Sequence, residues 1–153
     1  MYARLVLAHM PDPVATAQLW ADQVSTGGLL GLDEIERVES ANSALSAHLE
    51  LAMARVAATG ATMCAGPLFG PLQASAGLSR RLDQVVEVPV ATAVAAKMFA
   101  MSLAAWGDSA VGDGLCTRAE LGYLSGALSQ LSSSSAKGEV TWLLRQASFV
   151  RCA

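Results

Sequence analysis

Charge is what this sequence most lacks. Only 15% of its 153 residues are Asp, Glu, Lys or Arg, where an ordinary soluble domain carries roughly 25%. Aromatics are scarce as well, at 5%, although apolar residues as a class reach 53%, so the hydrophobic content is largely Ala, Leu and Val. The formal net charge is −3, and Arg80-Arg81 is the only adjacent basic pair. No Lys/Arg stripe interleaved with aromatics exists to meet a phosphate backbone, which excludes direct nucleic-acid contact.

Cysteine and histidine are nearly absent. The three cysteines, at 64, 116 and 152, are odd in number and far apart. That excludes a disulfide framework and fits the cytoplasm or another reducing compartment. A Ser-His-Asp or Cys-His site would have to use His9 or His48, the only two histidines. His9 closes the first apolar segment and His48 lies beside an apolar helical seam, so both read as packed or solvated rather than catalytic. Cysteine gaps of 52 and 36 residues match no metal motif, "GDSAVGDGLCTRAE" lacks the oxygen ligands of a calcium loop, and no phosphate-loop pattern occurs. Neither a metal nor a cofactor is expected. Ser134–Lys137 satisfies S-x-x-K, but the companion motifs S-D-N and K-T-G are missing, so the match is read as chance.

Long uninterrupted apolar runs are missing too. The stretch 49–72 is broken by Glu50, Arg55, Pro67 and Pro71, and 85–106 by Glu87, Pro89 and Lys97. No membrane span is expected. The opening "MYARLVLAHMPDP" is broken too early by Pro11 to read as a secretory signal.

What is present is a set of helix signals. Residues 2–9 are short and apolar, an edge strand or a helical turn. Asp12 before Pro13 is an N-cap with proline at the first helical position; Val14, Ala17, Trp20 and Val24 share a face, and Gly27-Gly28 closes the helix. Asp33 and Glu36 form a capping pair for a longer helix running to Thr59, with Gly60 as its C-cap. On it Ile35, Val38, Asn42, Leu45, Leu49, Ala52 and Val56 recur at spacings of three and four, an a/d seam with a polar Asn that would fix register or partner number. The same seam could equally pack inside the chain's own core, with Asn42 bonding locally. Residues 72–86 give a weaker helix leading to an extended "VVEVPV". A helix from Pro89 to Gly107 follows, with Val90, Val94, Met98, Met101 and Ala105 on one face. Thr117 with Glu120 is a capping box ahead of the Leu121, Leu124, Leu128, Leu131 stripe. A last helix carries Val140, Leu143, Leu144, Ala147 and Val150. The fold expected is mainly α: a single domain over 1–153, a bundle of five to six helices with at most one short N-terminal strand.

One reactive group stands out in "GATMCAGPLFGPLQASAG" (60–77), namely Cys64 among Gly66, Gly70 and Gly77. "CAG" at 64–66, "LSRRL" at 78–82, "VPV" at 88–90 and "VAAK" at 94–97 resemble part of the aspartate/glutamate/hydantoin racemase family. In that family a catalytic cysteine follows a buried strand, and a Val-Pro-Val strand enters a helix. The resemblance covers about a third of the chain, implies a thiol role for Cys64, and departs where "AATGATM" replaces the strand before the cysteine.

Two functions follow as expectations. The first is a non-enzymatic, self-associating helical structural protein, a shell, filament or complex subunit of a cell or virion. Its interface would be Ile35, Val38, Asn42, Leu45, Leu49, Ala52 and Val56, in a homo-oligomer or larger protein assembly. The second is a small-molecule enzyme or binding domain using Cys64.

Overall fold

The computed structural model describes residues 1–69, 72, 77–133 and 138–152. Most of the 70–76 stretch and all of Ser134–Lys137 lie outside the described residues. The chain is an α/β protein rather than a helical bundle. Strands β1 (Tyr2–Arg4), β2 (Leu29–Ser40), β3 (Leu78–Ala91) and β4 (Glu139–Arg151) form one sheet in the order β1-β2-β4-β3. Four helices are described: α1 (Pro13–Gln23), α2 (Ser43–Ala58), α3 (Thr92–Gly112) and α4 (Arg118–Ser133). Short 3-10 turns occupy Leu7–His9 and Gly66–Phe69. Among the described residues no helix is long and apolar enough to cross a membrane.

The sheet is mixed. β1 lies parallel to β2, with Tyr2 opposite Gly31 and Arg4 opposite Asp33. β4 runs against both of its neighbours: the Arg151 carbonyl accepts from Gly27 N–H (2.9 Å) and Arg151 N–H donates to the Gly28 carbonyl (3.0 Å), while Cys152 N–H donates to the Gly77 carbonyl (2.8 Å). The end of β4 therefore meets the beginnings of β2 and β3.

Three predicted helical stretches are strands, and each has a physical reason. In β2, Leu30 to Glu34 are all buried, so the strand is covered on both faces and shows no alternation to betray it. Ile35 and Val38 sit on this strand and Asn42 lies beyond its end, so the seam that began at Ile35 is not one helix. In β4, Val140, Leu143, Leu144 and Ala147 are buried as expected of a core face, but "VTWLLRQASFV" is rich in β-branched and aromatic side chains and is extended. Over 78–86 the weak helical pattern gives way to β3.

Cap chemistry agrees with the sequence at several helix ends, but not at Asp33 and Glu36, which lie on β2 and cap no helix, nor at Gly27-Gly28, because α1 already ends at Gln23. Asp12 Oδ1 accepts from Ala15 N–H (2.8 Å), and Pro13 opens α1. Asn42 is an N-cap: its Oδ1 accepts from Ala44 N–H (3.0 Å) and Leu45 N–H (3.2 Å). Gly60, at φ +79°, lies in the left-handed conformation that ends a helix at little cost. Thr117 and Glu120 cap α4 reciprocally.

The chain folds as two compact units. The first comprises residues 1–37, 59–88 and 142–153. Its core gathers Leu7, Leu30, Leu32, Phe69, Leu78 and Phe149, all at most 5% exposed. Glu34 is buried within this unit and anchors the N-terminal turn, its Oε1 accepting from Val6 N–H (2.7 Å) and Leu7 N–H (2.8 Å). The second unit comprises 38–58 and 89–141 and holds α2, α3 and α4. Leu124 and Leu128 are buried as the stripe predicts, but α3 is turned from its expected face. Ala95, Ala96, Phe99, Leu103 and Ala110 are buried, with Thr92 and Gly107, while Val94, Met98 and Met101 are 61%, 49% and 67% exposed. The helix is apolar on both sides, so spacing alone cannot choose between them. It also runs through Gly107 instead of stopping there; a Cβ at that position would meet Leu121 Cδ1 at 2.6 Å.

Asn42 distinguishes a cap from a seam residue. Replacing it with Leu would be expected to stabilise an apolar seam, but here Asn42→Leu removes two hydrogen bonds to the first turn of α2. Urea denaturation is expected to show a loss of about 1 kcal/mol.

Candidate functional site

Within the second unit, α2 presents two different faces. Leu45, His48 and Leu49 are buried. Ala44, Ala47, Leu51 and Ala54, at spacings of three and four, face a groove whose other wall is α4 and the residues before it. The groove measures about 850 Å³. Leu115, Ala119 and Leu124 complete its apolar lining, and Ser43, Glu50, Cys116, Glu120 and Tyr123 supply the polar groups. Small side chains leave the space open: three of the four α2 positions are alanine.

Its electrostatics are one-sided. Among the described residues Glu50 and Glu120 line the groove, and no Lys, Arg or His does. Glu120 Oε2 accepts from Thr117 N–H (2.7 Å) and Thr117 O–H (2.8 Å), and these bonds hold its carboxyl below the usual carboxylate range. Glu50 is exposed and lines a second, smaller hollow of about 300 Å³ with Glu39, Leu49 and Met53. Tyr123 is 80% exposed, its ring open to a ligand.

On the buried side of α2, His48 is 3% exposed and stacks on Phe99, ring centroids 4.3 Å apart at 12°. Trp106 tilts against it at 5.6 Å; the indole donates to Ser102 Oγ (2.8 Å), and the Arg55 guanidinium lies 5.4 Å from its ring centre. Both His48 nitrogens lack a hydrogen-bond partner among the described residues. Burial pushes its pKa down to about 4, so at neutral pH it is an uncharged aromatic spacer. His9 is exposed at the end of its 3-10 turn.

Cys64 belongs to the first unit and is half-buried, just ahead of the Gly66–Phe69 turn. Burial, and secondarily the Glu36 carboxylate, push its thiol pKa up. Nearby, Arg145 donates from Nε to Glu36 Oε2 (2.7 Å), from Nη2 to Glu36 Oε1 (3.1 Å) and from Nη1 to Asp83 Oδ1 (2.6 Å). Asp83 is also paired with Arg80. The cations near Cys64 are thus engaged by acids, and the thiol stays protonated at neutral pH. Val88-Pro89-Val90 does run from a strand into a helix, but the residues before Cys64 form no strand. The cysteines at 64, 116 and 152 are all free. Among the described residues no three His, Cys, Asp or Glu side chains gather as metal ligands.

The seven seam residues are not brought together on one helix. Ile35 and Val38 lie on β2, Asn42 caps α2, and only Leu45, Leu49, Ala52 and Val56 are on α2 itself, the first two of them buried. The groove residues were not anticipated. Their signal, the 44-47-51-54 spacing, lies on the same helix as the seam and was obscured by it.

No family model matches the chain, and no curated protein does. Among solved structures it is similar to a Galdieria sulphuraria protein assigned as a sarcosine dimethylglycine methyltransferase, at 13% identity and TM-score 0.46, over 99% of this chain and 52% of that one. It is also similar to phosphoethanolamine N-methyltransferase 2 of Haemonchus contortus, solved with phosphomonomethylethanolamine and S-adenosylhomocysteine, at 10% identity and TM-score 0.43, over 99% of this chain and 33% of that one. The chain therefore spans about half of the first and a third of the second. Similarity this weak assigns no chemistry. The expected self-associating helical structural subunit, whether of a shell, filament or capsid, is nonetheless overturned. The fold is α/β with a four-stranded sheet, and the continuous helical seam on which that reading rested does not exist.

His48 makes stability depend on pH. Its folded pKa of about 4 lies below the ordinary 6.5, so the unfolded chain takes up the proton first. The stabilisation is whole above about pH 6.5 and falls, by on the order of 3 kcal/mol, as the pH drops toward about 4. Urea titrations across that window should show this slope in the native sequence and a flatter one in His48→Phe.

Proposed function

We propose that this chain is a small-molecule-binding domain, with its site in the groove between α2 and α4, selective for an amphipathic cation. The observation that carries this reading is the groove's lining, with apolar walls, two carboxylates and no cationic side chain. An apolar body would displace water from Ala44, Ala47, Leu51 and Ala119. A cationic head would meet Glu50 or Glu120, and the open Tyr123 ring offers a cation–π surface. The volume fits a drug-sized ligand.

Binding is favoured over catalysis by what the groove holds. It contains no histidine, and its thiol, Cys116, has no cation in the lining to stabilise a thiolate. Cys64, the group on which the enzymatic alternative rests, has its thiol pKa moved in the direction that suppresses nucleophilicity. The three free cysteines suit the cytoplasm or another reducing compartment. The reading includes no nucleic-acid partner, given the formal charge of −3.

Calorimetric titration with 2-phenylethylamine and its size-matched anion 3-phenylpropionate tests the charge preference. The amine is expected to bind several-fold more tightly, and Glu50→Gln or Glu120→Gln to weaken it a few-fold, the scale of an exposed ion pair. Equal affinity for the two ligands, or an amine indifferent to both substitutions, would contradict the assignment.

A further inference from the structure

The sheet closes on one side with β3, the last strand in the order β1-β2-β4-β3. No further strand lies beyond it among the described residues, so one row of its backbone N–H and C=O groups faces outward. β3 is long, Leu78–Ala91, and its middle is open on both faces. Leu82, Val85 and Val88 are 41%, 42% and 38% exposed. An open apolar edge of this length is a template for another strand.

The charges on β3 select the partner. Arg80 is paired with Asp83, and Asp83 also accepts from Arg145. Arg81 and Glu87, by contrast, make no ion pair or hydrogen bond among the described residues. They stand three residues to either side of Gln84. In an antiparallel pairing related by a two-fold axis normal to the sheet, residues equidistant from the axis lie opposite one another on the same face. With the axis at Gln84, Arg81 of each copy faces Glu87 of the other, and Leu82 faces Val86. The two free charges thus neutralise each other twice per pair. Pro89, which has no N–H to donate, falls just outside the matched 80–88 stretch and limits it at that end. A strand of unrelated sequence would leave these charges unmatched.

We propose that β3 is a homodimerisation edge, and that two copies of this chain join through antiparallel β3–β3 pairing centred on Gln84, doubling the four-stranded sheet. The interface is carried by backbone hydrogen bonds, and its register is set by the reciprocal Arg81–Glu87 pairs.

Sedimentation velocity across a protein concentration series, at low salt, tests this with a charge swap. The native chain is expected to show a monomer–dimer equilibrium. Arg81→Glu or Glu87→Arg alone places like charges opposite each other twice and should raise the dimer dissociation constant roughly tenfold or more. The double variant Arg81→Glu/Glu87→Arg should restore it to within a few-fold of native. Circular dichroism of all four chains should coincide, because both residues are exposed; if one single variant misfolds, the other supplies the same comparison. A native chain that stays monomeric at about 100 µM overturns the proposal, since a dissociation constant above that range is no specific association. So do single reversals that leave the dimer intact, or a double variant no better than the singles.

Discussion

The first unit depends on one guanidinium. Arg145 projects from the strand in the middle of the sheet and binds acids from the strands on either side, Glu36 on β2 through two hydrogen bonds and Asp83 on β3 through a third. The fork geometry suits arginine alone, because lysine offers a point charge and no bidentate contact. The site is only partly exposed, so the pair is less screened than a surface salt bridge. Removing the cation would leave the half-buried Glu36 carboxylate without its bidentate partner, a larger loss than the bonds themselves, while Asp83 keeps only its pair with Arg80. The arrangement also explains why the neighbouring thiol is quiet. Glu36, held in place by Arg145, is one of the two causes that keep Cys64 protonated.

With so few charges in the chain, the position of each one is informative. Most described arginines are engaged: Arg145 and Arg80 with Asp83, Arg151 with Asp22, Arg118 with Asp108, Arg55 over Trp106. Among the charges without a side-chain partner in the described residues, Glu50 lines the groove of the second unit and Arg81 and Glu87 lie on the sheet edge. Under the proposals above, the Glu50 carboxylate serves a ligand site of one sign, and the opposite charges of Arg81 and Glu87 serve a surface that complements itself.

Some helix ends were legible in the sequence, because caps act locally, although the Asp33/Glu36 pair lies on a strand and neither Gly27-Gly28 nor Gly107 ends its helix. Asp12-Pro13, Gly60 and the Thr117/Glu120 box all do what their residue types imply. The strands were not legible, because their signal depends on what covers them. Leu30 to Glu34 are buried on both faces and show no alternation, and the apolar residues of β4 fall at spacings that mimic a helix. Asn42 carries both signals: Ile35 and Val38 continue its spacing backward as a seam, while the Ser-Ala-Asn-Ser run at 40–43 allows local capping, the alternative that the structure bears out. The alanine face at 44, 47, 51 and 54 lies on the same helix as the seam spacing, which masks it in the sequence. Cys64 stands out by residue type, and only the fold reveals that burial, and secondarily Glu36, push its thiol pKa up.

The claim that ligand recognition lies on α2 and α4, and not in the loop around Cys64, is open to one direct measurement. Backbone amide resonances followed by NMR during titration with 2-phenylethylamine report the site without any substitution. Shifts concentrated at Ala44, Ala47, Glu50, Leu51, Ala119 and Tyr123, with residues 61–69 unmoved, are the expected result. Shifts centred on Cys64 and Gly66, with α2 and α4 silent, would contradict the account.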